Sequence, residues 1–259
     1  MVVPRKRLEV SPALDVTVAM GPHVPTGLTL GPSLERWVVA GLPGRTRLLR
    51  HGGGVPVTVD VAVGVAEGTL GQAVGREALV LVEPGGAAHL LDESGRITTQ
   101  WHTGSAVREL QAAGGGSWFT LHGDGVVRQW DWQGQQLEQL ALGWSTLQVE
   151  DARSVWGTTH DGRLQRWETG RVKEEHALRL SGVTAVALED GRVVVATQQA
   201  KGLVLHVGAL GHTRFQAFAA LDVSTPPDGN ATARRNVLAW RVGSGVCHVT
   251  VADLLALTP

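Results

Sequence analysis

Asp124-Gly-Val-Val-Arg-Gln-Trp-Asp131 is the stretch on which the fold turns. An Asp-Gly pair opens it, and glycine tolerates the positive φ that a tight hairpin turn requires. A short run rich in valine and ending in tryptophan follows, then a second turn closed by Gly134. The same layout recurs on both sides. Gly86-Ala-Ala-His-Leu-Leu-Asp92, Gly162-Arg-Leu-Gln-Arg-Trp-Glu168 and Gly202-Leu-Val-Leu-His-Val-Gly208 align with it. Successive marker glycines, starting from Gly86, are 39, 37 and 40 residues apart. Gly95, Gly170 and Gly211 take the place of Gly134, and Gly245 opens a fifth copy 43 residues after Gly202.

A self-similar period of about forty residues means a repeat architecture. Each copy reads as strand, turn, strand, turn, strand: 117–121, 126–131 and 135–140, then 154–159, 163–167 and 171–177. A further strand precedes each copy, as at 147–150 and 183–188. Four strands per repeat make the blade of a β-propeller. The fold expected is therefore all-β, one propeller domain over 1–259 with six four-stranded blades. They fall at about 13–50, 55–101, 105–141, 145–178, 182–218 and 219–252, with an insertion near 65–76. The last has only three strands of its own, and 6–10 at the N-terminus can supply its fourth, outermost strand. Such closure removes a free edge. Five blades with a capping hairpin, or seven with degenerate ones, are the alternatives.

Composition agrees. Of 259 residues 43% are apolar, and nine tryptophans with no tyrosine and three phenylalanines make Trp the main large core side chain. Lysine and arginine total 23 against 24 acids, which argues against general attraction to nucleic acid or an anionic membrane. No apolar run is long enough to span a bilayer, and MVVPRKRLEV lacks the apolar core of a secretory signal. Cys247 alone permits neither an internal disulfide nor a cysteine-based zinc site. A cytoplasmic protein is expected.

The copy at 124–131, and His160-Asp-Gly-Arg-Leu-Gln-Arg-Trp-Glu168 after it, resemble the WD-repeat family of β-propellers in their Asp-Gly turn, third strand and closing Trp-Asp or Trp-Glu. Asp92-Glu-Ser-Gly-Arg-Ile-Thr-Thr-Gln-Trp101 is similar to the tryptophan-containing repeats of quinoprotein-like propellers. The resemblance implies a rigid, non-catalytic platform for other macromolecules, although propellers also host enzymes. The family's Gly-His pair is not at the expected places, so its buried Asp-His-Ser/Thr-Trp network is not expected to assemble. Short propellers of this kind occur in bacterial operons, and a bacterial source is the expectation.

Trp130 and Trp167 hold equivalent positions and are read as wedges between blades. Trp132, just past a strand, and Trp144, in the loop between blades, are the aromatic side chains expected to meet a partner. His122 and His160 stand before Asp-Gly turns in successive blades and could share a face; two histidines without a carboxylate are a weak zinc pattern. Arg234 and Arg235 end the polar loop 224–235, where a propeller could carry contacts. Arg5, Lys6, Arg7, Arg45, Arg47 and Arg50 read as charged guards on outermost strands.

The competing reading places Asp15, Asp60 and Asp222, each in an apolar stretch, on first strands lining a central channel. There they could hold calcium or another divalent cation, as in six-bladed lactonase-type hydrolases or a lyase. Acids hydrogen-bonded on a wet wall are the plainer reading. Cys247 and His248, being strand neighbours, point to opposite faces and form no nucleophile–base pair. The leading expectation is a non-catalytic scaffold or adaptor without a cofactor, docking another protein in a multi-subunit assembly and not contacting nucleic acid or membrane directly.

Overall fold

A computed structural model describes residues 3–15, 24–42, 44–52, 56–74, 78–225, 227–229 and 231–258. The chain forms two compact units, one of residues 16–144 and one of residues 1–15 with 145–259. Two short strands, β1 (Arg5–Leu8) and β2 (Leu14–Asp15), belong to the second.

Three antiparallel sheets build the first unit: β3 (Val24–Leu30), β4 (Arg36–Leu42), β5 (Arg45–His51) and β6 (Val57–Val61); β7 (Leu70–Ala73), β8 (Ala78–Val82), β9 (Ala87–Asp92) and β10 (Ile97–His102); β11 (Val107–Gly114), β12 (Ser117–His122), β13 (Val126–Trp130) and β14 (Gln136–Ala141). Three more build the second. These are β15 (Trp144–Val149) to β16 (Ser154–Thr159), β17 (Arg163–Glu168) and β18 (Arg171–Ala177); β19 (Val183–Glu189), β20 (Arg192–Gln199), β21 (Gly202–Leu210) and β22 (Phe215–Val223); and β23 (Thr232–Arg234), β24 (Val237–Val242) and β25 (Gly245–Thr250). The repeat's six sheets of four strands are all present once β2 is counted beside β25.

The N-terminus completes the C-terminal blade, but with a different segment from the one expected. β2 pairs antiparallel with β25, Leu14 opposite Val246. The stretch at 5–8 runs parallel to β22, Arg5 opposite Ala220, and widens the fifth sheet to five strands. Strand phase also differs in the early part. Val57–Val61 ends the first sheet by pairing with β5, and Leu70–Ala73 inside the presumed insertion starts the second. Arg45, Arg47 and Arg50 therefore sit on a third strand, covered by β6, and not on an outermost one. At the other end, 221–223 closes β22 instead of opening the last blade, whose first strand, β23, lies within the presumed loop.

Within the first unit the first strands β3, β7 and β11 come together. Small residues allow it: a Cβ at Gly27 would lie 2.0 Å from the Thr69 carbonyl oxygen, a backbone atom that cannot swing aside. Gly27→Ala is expected to cost about 2–3 kcal/mol through this overpacking, read as a lower urea midpoint at unchanged slope.

Tryptophan fills the space between the second and third sheets. Trp118 and Trp130 stack at 5.4 Å with planes 19° apart, and Trp101 of β10 tilts against them at 6.0 and 6.2 Å. Trp130 and Trp167 are both buried, as the wedge reading requires.

A buried relay continues from this stack, with no aspartate in it. Trp130 Nε1 donates to Thr120 Oγ1 at 2.9 Å, Thr120 Oγ1 meets His122 Nε2 at 2.8 Å, and His122 Nδ1 donates to the Ser105 carbonyl at 3.0 Å. The histidine comes from the end of the second strand, not from a Gly-His pair ahead of the first. In the second unit the Arg235 carbonyl ties three sheets together, accepting from Leu188 N at 2.7 Å and Gln148 Nε2 at 2.9 Å.

The chain ends in a short helix, α1 (Val251–Ala256), which buries Val251 and Leu254. Thr250 and Asp253 cap it reciprocally, each side chain accepting from the other's backbone N–H. Among the described residues no helix is long and apolar enough to cross a membrane.

Candidate functional site

Of the nine tryptophans only Trp132 is exposed, at 54%. It stands in the turn between β13 and β14, which Asp131 fixes. The Asp131 carboxylate accepts from Gln133 N at 2.9 Å and Gln135 N at 2.8 Å, and Gly134, at φ +83°, completes the reversal. The ring rests on the turn between β11 and β12. There Gly114, Gly115 and Gly116 all have positive φ, and a Cβ at Gly116 would lie 3.4 Å from Trp132. An exposed indole is thus held by two rigid turns of one blade.

Trp132 forms one wall of a recess of about 1220 Å³ in the first unit. Its apolar lining includes Val74, Leu90, Leu91 and Ala112. Thr98, Thr99, Gln133 and Gln135 supply hydroxyls and amides beside it. The acids in its wall are already engaged. Glu35 accepts from Ser33 N at 2.8 Å and from Trp37 Nε1 at 3.3 Å. Asp92 accepts from Ser94 Oγ at 2.6 Å, Ser94 N and Arg96 N, and those bonds, the Ser94 hydroxyl's foremost, hold its carboxyl below the usual carboxylate range. Arg50 is exposed, its guanidinium 5.9 Å from the Trp37 ring centre. An apolar floor, one exposed indole and uncharged hydrogen-bonding groups suit an extended peptide with an apolar side chain.

The remaining sequence candidates are placed differently. Trp144 is the first residue of β15, wholly buried, its backbone N–H donating to the Gly125 carbonyl at 3.1 Å; it offers a partner no surface. His122 is equally enclosed. Burial, with Arg128 nearby, lowers its pKa to about 4, and both ring nitrogens serve the relay. His160 is exposed in its turn. Arg234 is buried on β23, whereas Arg235, at φ +48°, is exposed.

The three aspartates lie on outer strands and not on first strands. Asp60 is on β6 and takes a two-pronged contact from Arg47, with Nη2 to Oδ2 at 2.8 Å. Asp222 is on β22, 4.0 Å from Arg5, and Asp15 is on β2 at the edge of the last sheet. Among the described residues no three His, Cys, Asp or Glu side chains gather to hold a metal ion. Cys247 is buried, and burial pushes its thiol pKa up.

The recess is not legible in the sequence because its walls come from all three sheets of the unit. The one signal the sequence carries is a Trp in the second position of an Asp-x-x-Gly turn.

No protein-family profile matches this sequence, and no curated protein matches it. Solved structures do. The WD40 beta propeller domain of Doa1 is similar with a TM-score of 0.51 at 10% identity, covering 88% of this chain and 92% of that one. U3-55K is similar with a TM-score of 0.55 at 13% identity, covering 88% and 96%. Raptor from Chaetomium thermophilum gives 0.54 at 11% identity, covering 83% of this chain but 22% of that one. At such identities the likeness is one of fold alone, that of the β-propeller.

Proposed function

We propose that this protein is a non-catalytic interaction module that docks a peptide segment of another protein in the Trp132 recess. The observation that carries the reading is an indole held 54% exposed by two rigid turns beside an apolar floor. Aromatic anchors dominate the energetics of protein interfaces, and an indole fixed beside an apolar recess offers such an anchor. The WD40-type fold supports the same role. The reading extends to an adaptor subunit of a multi-protein assembly in the bacterial cytoplasm, a compartment that keeps the Cys247 thiol reduced.

Native mass spectrometry of the protein from its own cells tests this. A stoichiometric second protein is expected with the wild type and with Phe218→Ala, which truncates an exposed aromatic in the other unit. Trp132→Ala is expected to weaken that complex about 30-fold or more while leaving stability within about 0.5 kcal/mol. An equally tight complex in the Trp132 variant removes the recess from the interface.

A further inference from the structure

A second recess, of about 770 Å³, lies in the other unit between the sheet of β15 to β18 and the sheet of β19 to β22. Its wall presents five carboxylates against a single ammonium. It also contains a buried histidine whose bonding is incomplete. His176, 8% exposed, donates from Nδ1 to the Gly211 carbonyl at 2.9 Å. Its Nε2 has no hydrogen-bond partner among the described residues. Glu174 Oε2 is 3.6 Å away, beyond hydrogen-bond range. In the tautomer that carries its proton on Nδ1, Nε2 presents a lone pair to that carboxylate, with no donor between the two acceptors.

The adjoining side of the recess shows what such a wall accepts. Arg166 sends Nε and Nη2 to Glu150 Oε2 at 3.1 and 3.0 Å and Nη1 to Glu174 Oε1 at 3.4 Å. Its guanidinium carbon lies 5.9 Å from the Trp156 ring centre. This occupies one oxygen of Glu174 and leaves the other turned to His176.

We infer that this recess binds an arginine side chain of a partner protein, whose guanidinium enters between His176 Nε2 and Glu174 Oε2. Glu174 is partly exposed, and giving up its long 3.4 Å contact with Arg166 lets its carboxylate turn outward and widen the gap for a bridging N–H group. A planar fork of five donors matches two separated acceptors and an aromatic neighbour better than a compact ammonium does. A metal ion fits less well, because no third ligand stands with His176 and Glu174 among the described residues. The inference goes beyond the Trp132 reading and concerns the other unit, so the two can fail separately.

Nuclear magnetic resonance of protein with 15N-labelled histidine and tryptophan, at pH 8 and low salt, tests it. The probe is Nα-acetyl-L-arginine N-methylamide. Expected are a free-protein Nε2 signal typical of an unprotonated nitrogen, and saturable shifts of the His176 and Trp156 signals on titration. The lysine analogue should bind several-fold more weakly. Glu174→Gln should weaken arginine binding about tenfold, the effect of removing one charged hydrogen-bond partner. Asp190→Asn, a surface change at a left-handed position that asparagine tolerates, keeps the fold and should weaken binding about twofold or more. A protonated Nε2 in the free protein, unmoved His176 signals, or equal response to lysine would each overturn the inference.

Discussion

Trp118→Ala is expected to lower the unfolding free energy by about 4 kcal/mol, the usual cost of removing a large buried aromatic. Trp118 is wholly enclosed. Three losses combine. The indole leaves a cavity between two sheets that neighbouring rings cannot fill without leaving their rotamers. Its stacking on Trp130 and its tilted contact with Trp101 both disappear. The Asp131 carbonyl also loses the Nε1 donor that reaches it at 2.7 Å. Asp131 anchors the turn that presents Trp132, so the variant should loosen that turn as well. Urea unfolding followed by tryptophan fluorescence gives the stability change. Trp118→Phe, which keeps a ring but not the donor, should cost about half as much or less. A loss below about 1 kcal/mol for Trp118→Ala would mean that the stack does not hold the two sheets together.

The second large effect is with acid. His122 is neutral in the folded protein, its pKa lowered to about 4 first by burial and then by Arg128. In the unfolded chain it titrates at its ordinary value of 6.5. Between those values the unfolded state binds the extra proton, so acid favours unfolding. The contribution is fully present above about pH 6.5 and is lost as pH falls towards 4, a total of about 3 kcal/mol. Burial also lowers the pKa of His206, which adds loss of the same sign as pH falls below about 6.5. Unfolding free energies at pH 7.5 and 4.5 isolate the His122 share when wild type is compared with His122→Gln. The wild type should lose about 2–3 kcal/mol more than the variant. Equal losses would show that the relay from Trp130 through Thr120 accommodates a charged imidazole.

His122 also shows how little separates a core residue from a surface one. Thr120-Leu-His122 is followed by Gly123-Asp124-Gly125, whereas Thr158-Thr-His160 runs straight into Asp161-Gly162. The two turns are equally long, Gly125 N donating to the His122 carbonyl in one and Gly162 N to the Thr159 carbonyl in the other. Gly123 fills the first turn position in one blade and leaves His122 as the last, buried residue of its strand; in the next blade His160 itself fills that turn position and is exposed. Sequence reading treats the two alike because both precede Asp-Gly. Trp144 misleads for a related reason. It follows a glycine in a connecting segment, yet it begins β15 and is wholly buried. Arg234, long and cationic, reads as surface and is enclosed on β23.

By itself the sequence determined the repeat, its four-strand units, the all-β class and the burial of Trp130 and Trp167. These depend on turn residues and alternation within a few positions, where backbone sterics and the strand period act locally. The tertiary structure alone decided the pairing of the chain ends and the phase of the early strands. It also decided which of Trp132, Trp144, His122, His160, Arg234 and Arg235 face water, and it moved Asp15, Asp60 and Asp222 to outer strands. The pairing of Arg5 with Ala220 and of Leu14 with Val246 joins residues more than two hundred positions apart. No local preference encodes such a contact; it is selected by the edge each sheet leaves open and by the apolar surface it has still to bury.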